Sequence, residues 1–264
     1  RRAAAAHACL ATGQPGLIAV KQLMTTLLAL LLASGCVSVP PEERVAHDPW
    51  EGPNRAVYAI NDAFDRVTLR PVARVYNKVL PEPVRQGVTN FSRNLYVPRS
   101  SINSFLQGKP RDGVSEMFRF VINSTFGIGG LFDIASRNGL EAKDEDFGQT
   151  AAVWGIPQGP FVMLPFLGPQ TLTDTILLPL DIGSDPLYYY EVRSYRDPVT
   201  VWRIVNLRAR LLPLEDMLAD SPDPYVTVRE SWLQNREFQI YDGNPPVDEE
   251  EDDLFDEFFE DEDY

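Results

Sequence analysis

The stretch RFVINSTFGIGGLFDIA, residues 119–135, decides how the rest of this sequence is interpreted. Apolar residues in and before it recur three or four positions apart, the spacing of one helix face. That face comprises Val114, Met117, Phe118, Val121, Ile122 and Phe126, together with Thr125. Glu116, Arg119 and Asn123 fall on the opposite face. The pattern predicts an amphipathic helix that ends at Gly127.

A second apolar segment follows a polar break at residues 141–146. It reads FGQTAAVWGIPQGPFVMLPFLGP, residues 147–169, and its apolar run at 161–166 lies between two Gly-Pro pairs. Glycine and proline pairs mark turns. Two apolar arms around a polar elbow predict a hairpin-like element, and the alternative is an ordinary helix followed by a long surface loop.

Residues 1–35 have the organisation of an alanine-rich lead followed by a signal peptide. A GUG start codon at Val20 would place Lys21 as the positive region and residues 25–33 as the apolar region. This apolar region is shorter than the roughly 20 residues of a membrane-spanning helix, and it ends in small residues. We therefore expect a signal peptide that is removed.

The signal ends in LASGC, residues 32–36, which resembles a bacterial lipobox. We expect Cys36 to be the acylated lipid anchor and residues 36–47 to be its tether. Because Val37 rather than aspartate follows the cysteine, the enterobacterial sorting rule favours the outer membrane. The alternative is a signal cut elsewhere, with Cys36 incidental.

The acidic residues of the chain concentrate at its C-terminal end. The formal net charge is −14, and residues 248–264 read DEEEDDLFDEFFEDEDY. Self-repulsion predicts that residues 243–264 form a disordered acidic tail, although its phenylalanines leave binding to a basic surface open. An acidic chain also argues against a nucleic-acid partner.

Helix signals dominate residues 48–242, which we predict to be one all-α domain. Asp48-Pro49, Asp197-Pro198 and Asp223-Pro224 each read as an N-cap followed by proline. Residues 80–83, LPEP, separate two helices, the second continuing to about Tyr96, and Lys109-Pro110 begins another. One short strand, at residues 162–166, is plausible, but its proline weakens it.

No segment after the signal reaches 18 uninterrupted apolar residues, so none is predicted to span a bilayer. Apolar pieces at residues 126–135, 161–167 and 176–182 are nevertheless numerous. They could form core, lie flat in a membrane interface, or line a channel for an apolar ligand. The pattern leaves these three placements open.

The sequence offers little for catalysis, and we predict no catalytic residue, metal site or cofactor. After Cys36 the chain holds one histidine, His47, and no cysteine, so His-based triads and zinc sites are poorly supported. The acidic run at residues 144–146 reads as a solvated loop. The glycines at 127–130 lack the lysine of a phosphate-binding loop.

Several blocks together resemble the MlaA family, also called VacJ. They are DPWEGPNRAVYAIND (residues 48–62), LRPVARVY (69–76), the 119–135 stretch, FGQTAAVWGIPQGPFVMLPFLGPQTLTD (147–174) and DPYVTVRES (223–231). They follow one another over nearly the whole mature domain. Pro53, where relatives carry an aromatic residue, and the acidic tail depart from the family.

The resemblance implies a ring-like bundle of amphipathic helices lying in the inner leaflet of the outer membrane, with a flexible hairpin loop. It further implies a lipoprotein on the periplasmic side that associates with a trimeric porin. Such a protein removes mislocalised phospholipid from the outer leaflet through an amphipathic channel. It passes the lipid to a periplasmic lipid-carrier protein of the Mla type. This removal of phospholipid maintains the lipid asymmetry of the outer membrane.

On this basis we expect the hairpin at residues 127–159. Its flexible points would be Gly127, Gly129, Gly130, Gly155 and Gly159. Candidate contacts with lipid or membrane are Phe126, Leu131, Phe132, Ile134, Val153 and Phe161. The glycines could instead be caps and turns, and the apolar residues could be core.

Two other functions stay open at this point. A lipid hydrolase would need a nucleophile and base that the sequence does not display. A structural porin-associated lipoprotein would bind the porin without moving lipid.

Overall fold

The computed structural model describes residues 48–246, and most of them are helical. The helices are α1 (Glu51–Val67), α2 (Leu69–Val79), α3 (Glu82–Leu106), α4 (Pro110–Thr125), α5 (Ile134–Arg137), α6 (Phe147–Val153), α7 (Leu172–Gly183), α8 (Arg193–Leu211), α9 (Glu215–Ala219) and α10 (Pro224–Ile240). Short 3-10 turns lie at Pro186–Tyr189 and Leu212–Leu214. The all-α prediction is confirmed, and the predicted leader, anchor, tether and most of the tail lie outside the described residues.

A small antiparallel hairpin interrupts the helices. Strand β1 (Phe161–Leu164) pairs with β2 (Gly168–Thr171), and Phe161 lies opposite Thr171. The first strand confirms the prediction at 162–166, whereas the second was not predicted. The turn between them places Phe166 at a φ of 62°, a left-handed conformation that is uncommon for a bulky residue.

Proline positions account for several of the helix boundaries. Pro81 separates α2 from α3, and Pro110 begins α4, as predicted. The predicted end near Tyr96 is wrong, because α3 continues through Pro98 to Leu106. Proline removes one helical hydrogen bond, but the packing of α3 along α4 keeps the helix continuous.

Two of the three predicted aspartate caps are wrong. Asp223 does cap α10, since its carboxylate accepts from the backbone N–H groups of Tyr225 and Val226. Asp48 instead is buried and precedes α1 without capping it. Asp197 lies inside α8, which begins at Arg193, so the Asp-Pro pair falls within the first two turns of that helix.

The hydrophobic core consists of two small clusters. One joins α2 to α8 through Ala73, Tyr76, Val205 and Ala209. The other joins β1 to α10 through Phe161, Met163 and Tyr225. Because the clusters are small and separate, polar contacts hold many of the helices together. Among residues 48–246, no helix is both long and apolar enough to cross a membrane.

Candidate functional site

The described residues place polar groups inside and apolar groups outside. Twenty polar or charged residues of 48–246 are buried, against eleven apolar ones, whereas charged residues of water-soluble proteins are rarely buried fully. Helix α4 shows the inversion best. Its apolar residues Met117, Phe118 and Val121 are 56–60% exposed, and Glu116 and Arg119 on the opposite face are buried.

The buried face of α4 holds the turn that follows it. Asn123 donates to Asp133 and accepts from the backbone N–H of Ala135, while Arg119 donates to Ser136. Asp133 also caps α5 by accepting from the backbone N–H of Ser136. These bonds tie the 126–137 segment to α4, and they hold the pKa of the Asp133 carboxyl below its usual range against the effect of burial.

Glu116 is the buried acid of this cluster. One carboxylate oxygen accepts from the backbone N–H of Lys143 at 2.8 Å, and the other has no hydrogen-bond partner within the described part of the chain. The nearest guanidinium nitrogen of Arg119 is 3.5 Å away. Burial therefore outweighs both contacts and raises the pKa of Glu116 to about 7.

Close packing leaves no room for a Cβ at two of the five glycines that were predicted as flexible points. A Cβ on Gly127 would lie 2.2 Å from the carbonyl oxygen of Phe132, and a Cβ on Gly130, which has a φ of 93°, would lie 2.5 Å from Asn94. Gly129 and Gly155 have positive φ and open space, and Gly159 approaches Leu172. Turn geometry and packing thus explain these positions, and their mobility stays a prediction.

Most of the predicted lipid or membrane contacts lie on the surface. Phe126 is 76% exposed, and Leu131, Phe132 and Val153 are also exposed, whereas Ile134 is half-buried. The prediction of Phe161 as a lipid or membrane contact is wrong, because its side chain is completely buried. Its ring meets those of Tyr225 and Trp232 edge-on, so β1 points this side chain into the core and away from any lipid.

Of the acidic run at 144–146, which was predicted as a solvated loop, only Asp144 is exposed. Glu145 is buried, and its carboxylate forms an ion pair with the amino group of Lys109 at 3.2 Å. Asp146 caps α6 and accepts two hydrogen bonds from Arg236, of 2.7 and 2.8 Å. Arg236 also contacts Asp174 of α7 at 2.5 Å. The second arm of the predicted hairpin is therefore anchored to α7 and α10 by buried ion pairs.

A large open cavity lies between α3, α7, α8 and the 3-10 turn at Pro186–Tyr189. Its volume is about 780 Å³, which is in the range of ligand-binding sites. Tyr96, Leu178, Ile182, Val201, Ile204 and Leu207 give it apolar surface. Arg93, Arg99, Arg196, Arg203 and Arg210, with Asp181, Asp185 and Asp197, give it charge.

Tyr96 organises part of the charged wall of this cavity. The guanidinium groups of Arg99 and Arg203 lie 4.9 and 4.7 Å from the centre of its ring, within cation–π distance. Arg203 also bonds Asp185 at 2.8 Å, and Arg99 lies 3.6 Å from Asp181. Burial raises the pKa of Asp181 to about 6 although Arg99 opposes the shift.

Sequence reasoning missed this cavity. None of the six predicted contact residues lines it, because those residues were chosen from the most apolar stretches. A signal was available in α8, where Arg196, Arg203 and Arg210 recur every seven residues. Such spacing places side chains on one helix face.

Comparison with known proteins adds a family to this geometry. The family model described as MlaA lipoprotein matches residues 46–239. The chain belongs to the MlaA lipoprotein family. The resemblance noted from the sequence is thereby confirmed.

Relatives with curated names agree with this assignment. The intermembrane phospholipid transport system lipoprotein MlaA of Escherichia coli K12 is 34% identical over 250 residues, covering 89% of this chain and 97% of that protein. The protein of the same name from Haemophilus influenzae is 30% identical, with coverages of 84% and 92%. An uncharacterized protein of Rickettsia typhi is 33% identical, covering 78% of this chain and 80% of its own length.

The fold is also similar to that of a solved structure. It is described as the structural basis for maintenance of bacterial outer membrane lipid asymmetry. Its chain is 35% identical to this one, and the superposition covers 73% of this chain and 98% of that chain with a TM-score of 0.61. The all-α architecture is thus that of an MlaA protein.

Proposed function

We propose that this chain is an outer-membrane lipoprotein that extracts mislocalised phospholipid from the outer leaflet and delivers it to a periplasmic carrier. The cavity between α3, α7 and α8 is the path, and the flow maintains lipid asymmetry. The relatives named as intermembrane phospholipid transport lipoproteins support this proposal. The observation that carries it is the amphipathic cavity of about 780 Å³.

The wall of this cavity fits the energetic problem of lipid extraction. Each methylene exposed to water costs about 0.8 kcal/mol, so a two-chain lipid with on the order of 30 methylenes would meet a barrier of roughly 25 kcal/mol in water. Val201, Ile204 and Leu207 offer an apolar face to the chains, and the arginines beside them offer a polar face to the headgroup. One wall therefore serves both ends of the lipid.

The exposed apolar surface supports a position within the membrane. Phe118 and Phe126, which a soluble protein would bury, are 60% and 76% exposed, and a large exposed apolar area marks a membrane or protein contact. We propose that the helices lie in the inner leaflet, with acylated Cys36 as anchor. A trimeric porin is the proposed membrane partner.

No chemical step is proposed. Residues 48–246 contain neither histidine nor cysteine, and the carboxylate of Asp146 is held by Arg236. Transport then depends on binding and release at the cavity. The lipid chemistry is left unchanged.

The experiment is a measurement of surface phospholipid in cells that lack this protein, with an acylating enzyme that modifies exposed phospholipid alone. Deletion is expected to raise the modified lipid, and the wild-type chain to restore it. Cys36→Ala is expected to restore it less well. Ile204→Trp with Leu207→Trp, which narrows the cavity, is expected to restore it poorly.

Leu211→Trp with Leu214→Trp is the matched control. Both leucines are exposed and neither lines the cavity, so this pair adds the same bulk outside it and should restore the surface fully. Unchanged surface phospholipid on deletion would reject transport and favour a structural porin-associated lipoprotein. Release of lysophospholipid or fatty acid by the purified chain would instead indicate a hydrolase.

A further inference from the structure

The cavity face of α8 carries a regular column of arginines. Arg196, Arg203 and Arg210 all line the cavity and are seven residues apart. Seven residues advance a helix by about 10.5 Å and return nearly to the same angle. The column is therefore about 21 Å long, close to the half-thickness of a bilayer with its headgroups.

The charge of the cavity opposes the charge of the chain. Five arginines and three aspartates line the cavity, although the chain carries a formal net charge of −14. Most of that charge lies in the acidic C-terminal residues, but residues 48–246 still contain 24 acidic and 20 basic residues, so the cavity wall is more basic than the domain around it. The basic wall is thus a local feature of α3 and α8.

The cavity aspartates leave part of this positive charge uncompensated. Arg203 is held by Asp185 and Arg196 by Asp197, at 2.8 and 2.9 Å. The side chains of Arg93 and Arg210 make no ion pair or hydrogen bond to any residue of 48–246, and both are exposed to the cavity side of their helices. Two guanidinium groups are therefore available to an anion.

Apolar residues lie between the arginines of the column. Val201, Ile204 and Leu207 share the cavity face of α8 and are 46–59% exposed. An anion without apolar chains would gain nothing from these side chains. The arrangement suits a ligand with one anionic group and long hydrocarbon chains.

We propose that Arg196, Arg203 and Arg210 of α8, with Arg93 of α3, form a track that binds the phosphodiester of a phospholipid inside the cavity. This inference rests on the proposed function, since it assigns the residues that distinguish the transported lipid. Guanidinium groups bind phosphate through paired N–H donors. Successive arginines let the phosphate move along α8 while the chains remain against its apolar residues.

Arg93 and Arg210 are the positions to test, because no internal ion pair depends on them. The acylated full chain is purified in detergent and titrated with phosphatidylglycerol and with diacylglycerol of the same acyl chains. One chain of each carries pyrene, and energy transfer from the protein's tryptophans reports binding. The wild type is expected to bind phosphatidylglycerol at least about tenfold more tightly than diacylglycerol.

Arg93→Gln with Arg210→Gln is expected to reduce the affinity for phosphatidylglycerol about tenfold and to leave diacylglycerol binding unchanged. Arg111→Gln with Arg137→Gln removes the same charge from exposed positions outside the cavity and should change neither affinity. Circular dichroism checks that both double variants are folded.

The possible failures are distinguishable. Equal binding of both lipids, or a cavity variant that behaves like the control, overturns the arginine track while lipid binding stands. Displacement of the labelled lipid by an equal concentration of inorganic phosphate overturns it in favour of a free-anion site. If neither lipid binds, the proposed function itself fails.

Discussion

Asp48 and Arg229 lie 2.9 Å apart and are both buried, although 181 residues separate them in the sequence. The Asp48 carboxylate also accepts from the hydroxyl of Tyr225 at 2.6 Å and from the side-chain amide of Asn54 at 2.8 Å. These three contacts connect Asp48, the first described residue, to both α1 and α10. They close the helical domain where its two ends meet.

We predict that Asp48→Ala destabilises the domain by about 3 kcal/mol, because a buried guanidinium loses its closest carboxylate. The hydroxyl of Tyr225 and the amide of Asn54 also lose an acceptor. Glu51 and Glu230 remain near Arg229, which keeps the loss from being larger. Urea unfolding in detergent, followed by circular dichroism, measures the change.

Arg74→Ala is the control for this experiment. Arg74 pairs with Glu215 at 2.8 Å, but its side chain is 62% exposed, and exposed ion pairs contribute less than about 1 kcal/mol. Equal losses for the two variants would contradict the closing role of Asp48.

The buried carboxyl of Glu116 makes stability depend on pH. Its pKa is about 7 in the folded protein, against an ordinary value of 4.5, so the folded state binds more protons than the unfolded state between these values. Stability is therefore highest below pH 4.5 as far as this group is concerned, and it falls as the pH rises to 7. The fall from Glu116 is on the order of 3 kcal/mol.

Glu116→Gln removes this contribution while keeping an oxygen for the backbone N–H of Lys143. Free energies of unfolding at pH 5 and pH 8 are to be compared for wild type and variant. The variant should lose less stability across this range. Asp181, whose pKa is raised to about 6, lowers the stability in the same direction in both proteins as the pH rises. An equal loss of unfolding free energy from pH 5 to pH 8 in wild type and variant would reject the assignment to Glu116.

Local sequence signals predicted some of the helix starts, since a proline, and at one position an aspartate, acts on its own neighbours. Pro81, Pro110 and Asp223 mark true boundaries. Asp48 failed as a cap because its carboxylate is taken by Arg229, 181 residues away. A single-sequence pattern carries no information about such a partner.

The site was harder to predict than the fold. Hydrophobicity selected Phe126, which is exposed, and Phe161, which is buried, as equivalent lipid contacts. The amphipathic pattern of α4 is the same whichever face points inward, so it left the burial of Glu116 open. The cavity was missed because its wall is assembled from α3, α7 and α8, and the apolar run at residues 176–182 alone did not show that Leu178 and Ile182 face arginines of the other two helices.

The glycine turn after α4 gives a prediction about close packing. Gly130→Ala should destabilise the domain more than Gly129→Ala. Both glycines have positive φ, but the added Cβ meets Asn94 at 2.5 Å in the first case and nothing within 4 Å in the second. Backbone strain alone costs about 1 kcal/mol, and the collision adds to it at Gly130. Thermal unfolding of both variants in the same detergent measures the difference.

Substitutions at Phe161, which is buried, and at Phe126, which is exposed, are predicted to differ in their effect on stability. Phe161→Ala should destabilise the domain by about 3 kcal/mol, because the ring is fully buried against Tyr225 and Trp232. Phe126→Ser should leave the unfolding midpoint in detergent nearly unchanged, since that ring is 76% exposed. If the exposed face contacts lipid, Phe126→Ser should weaken the binding of a chain without the Cys36 anchor to phospholipid vesicles.

Vesicle flotation measures that binding, with Arg137→Ser as a control that alters an exposed residue of low hydrophobicity near the same turn. Removal of one exposed aromatic ring from a membrane contact costs about 2 kcal/mol of binding free energy, so the bound fraction should fall clearly at a lipid concentration near the midpoint. An unchanged bound fraction for Phe126→Ser would place the membrane contact elsewhere. A large loss of stability would show instead that the ring packs against protein.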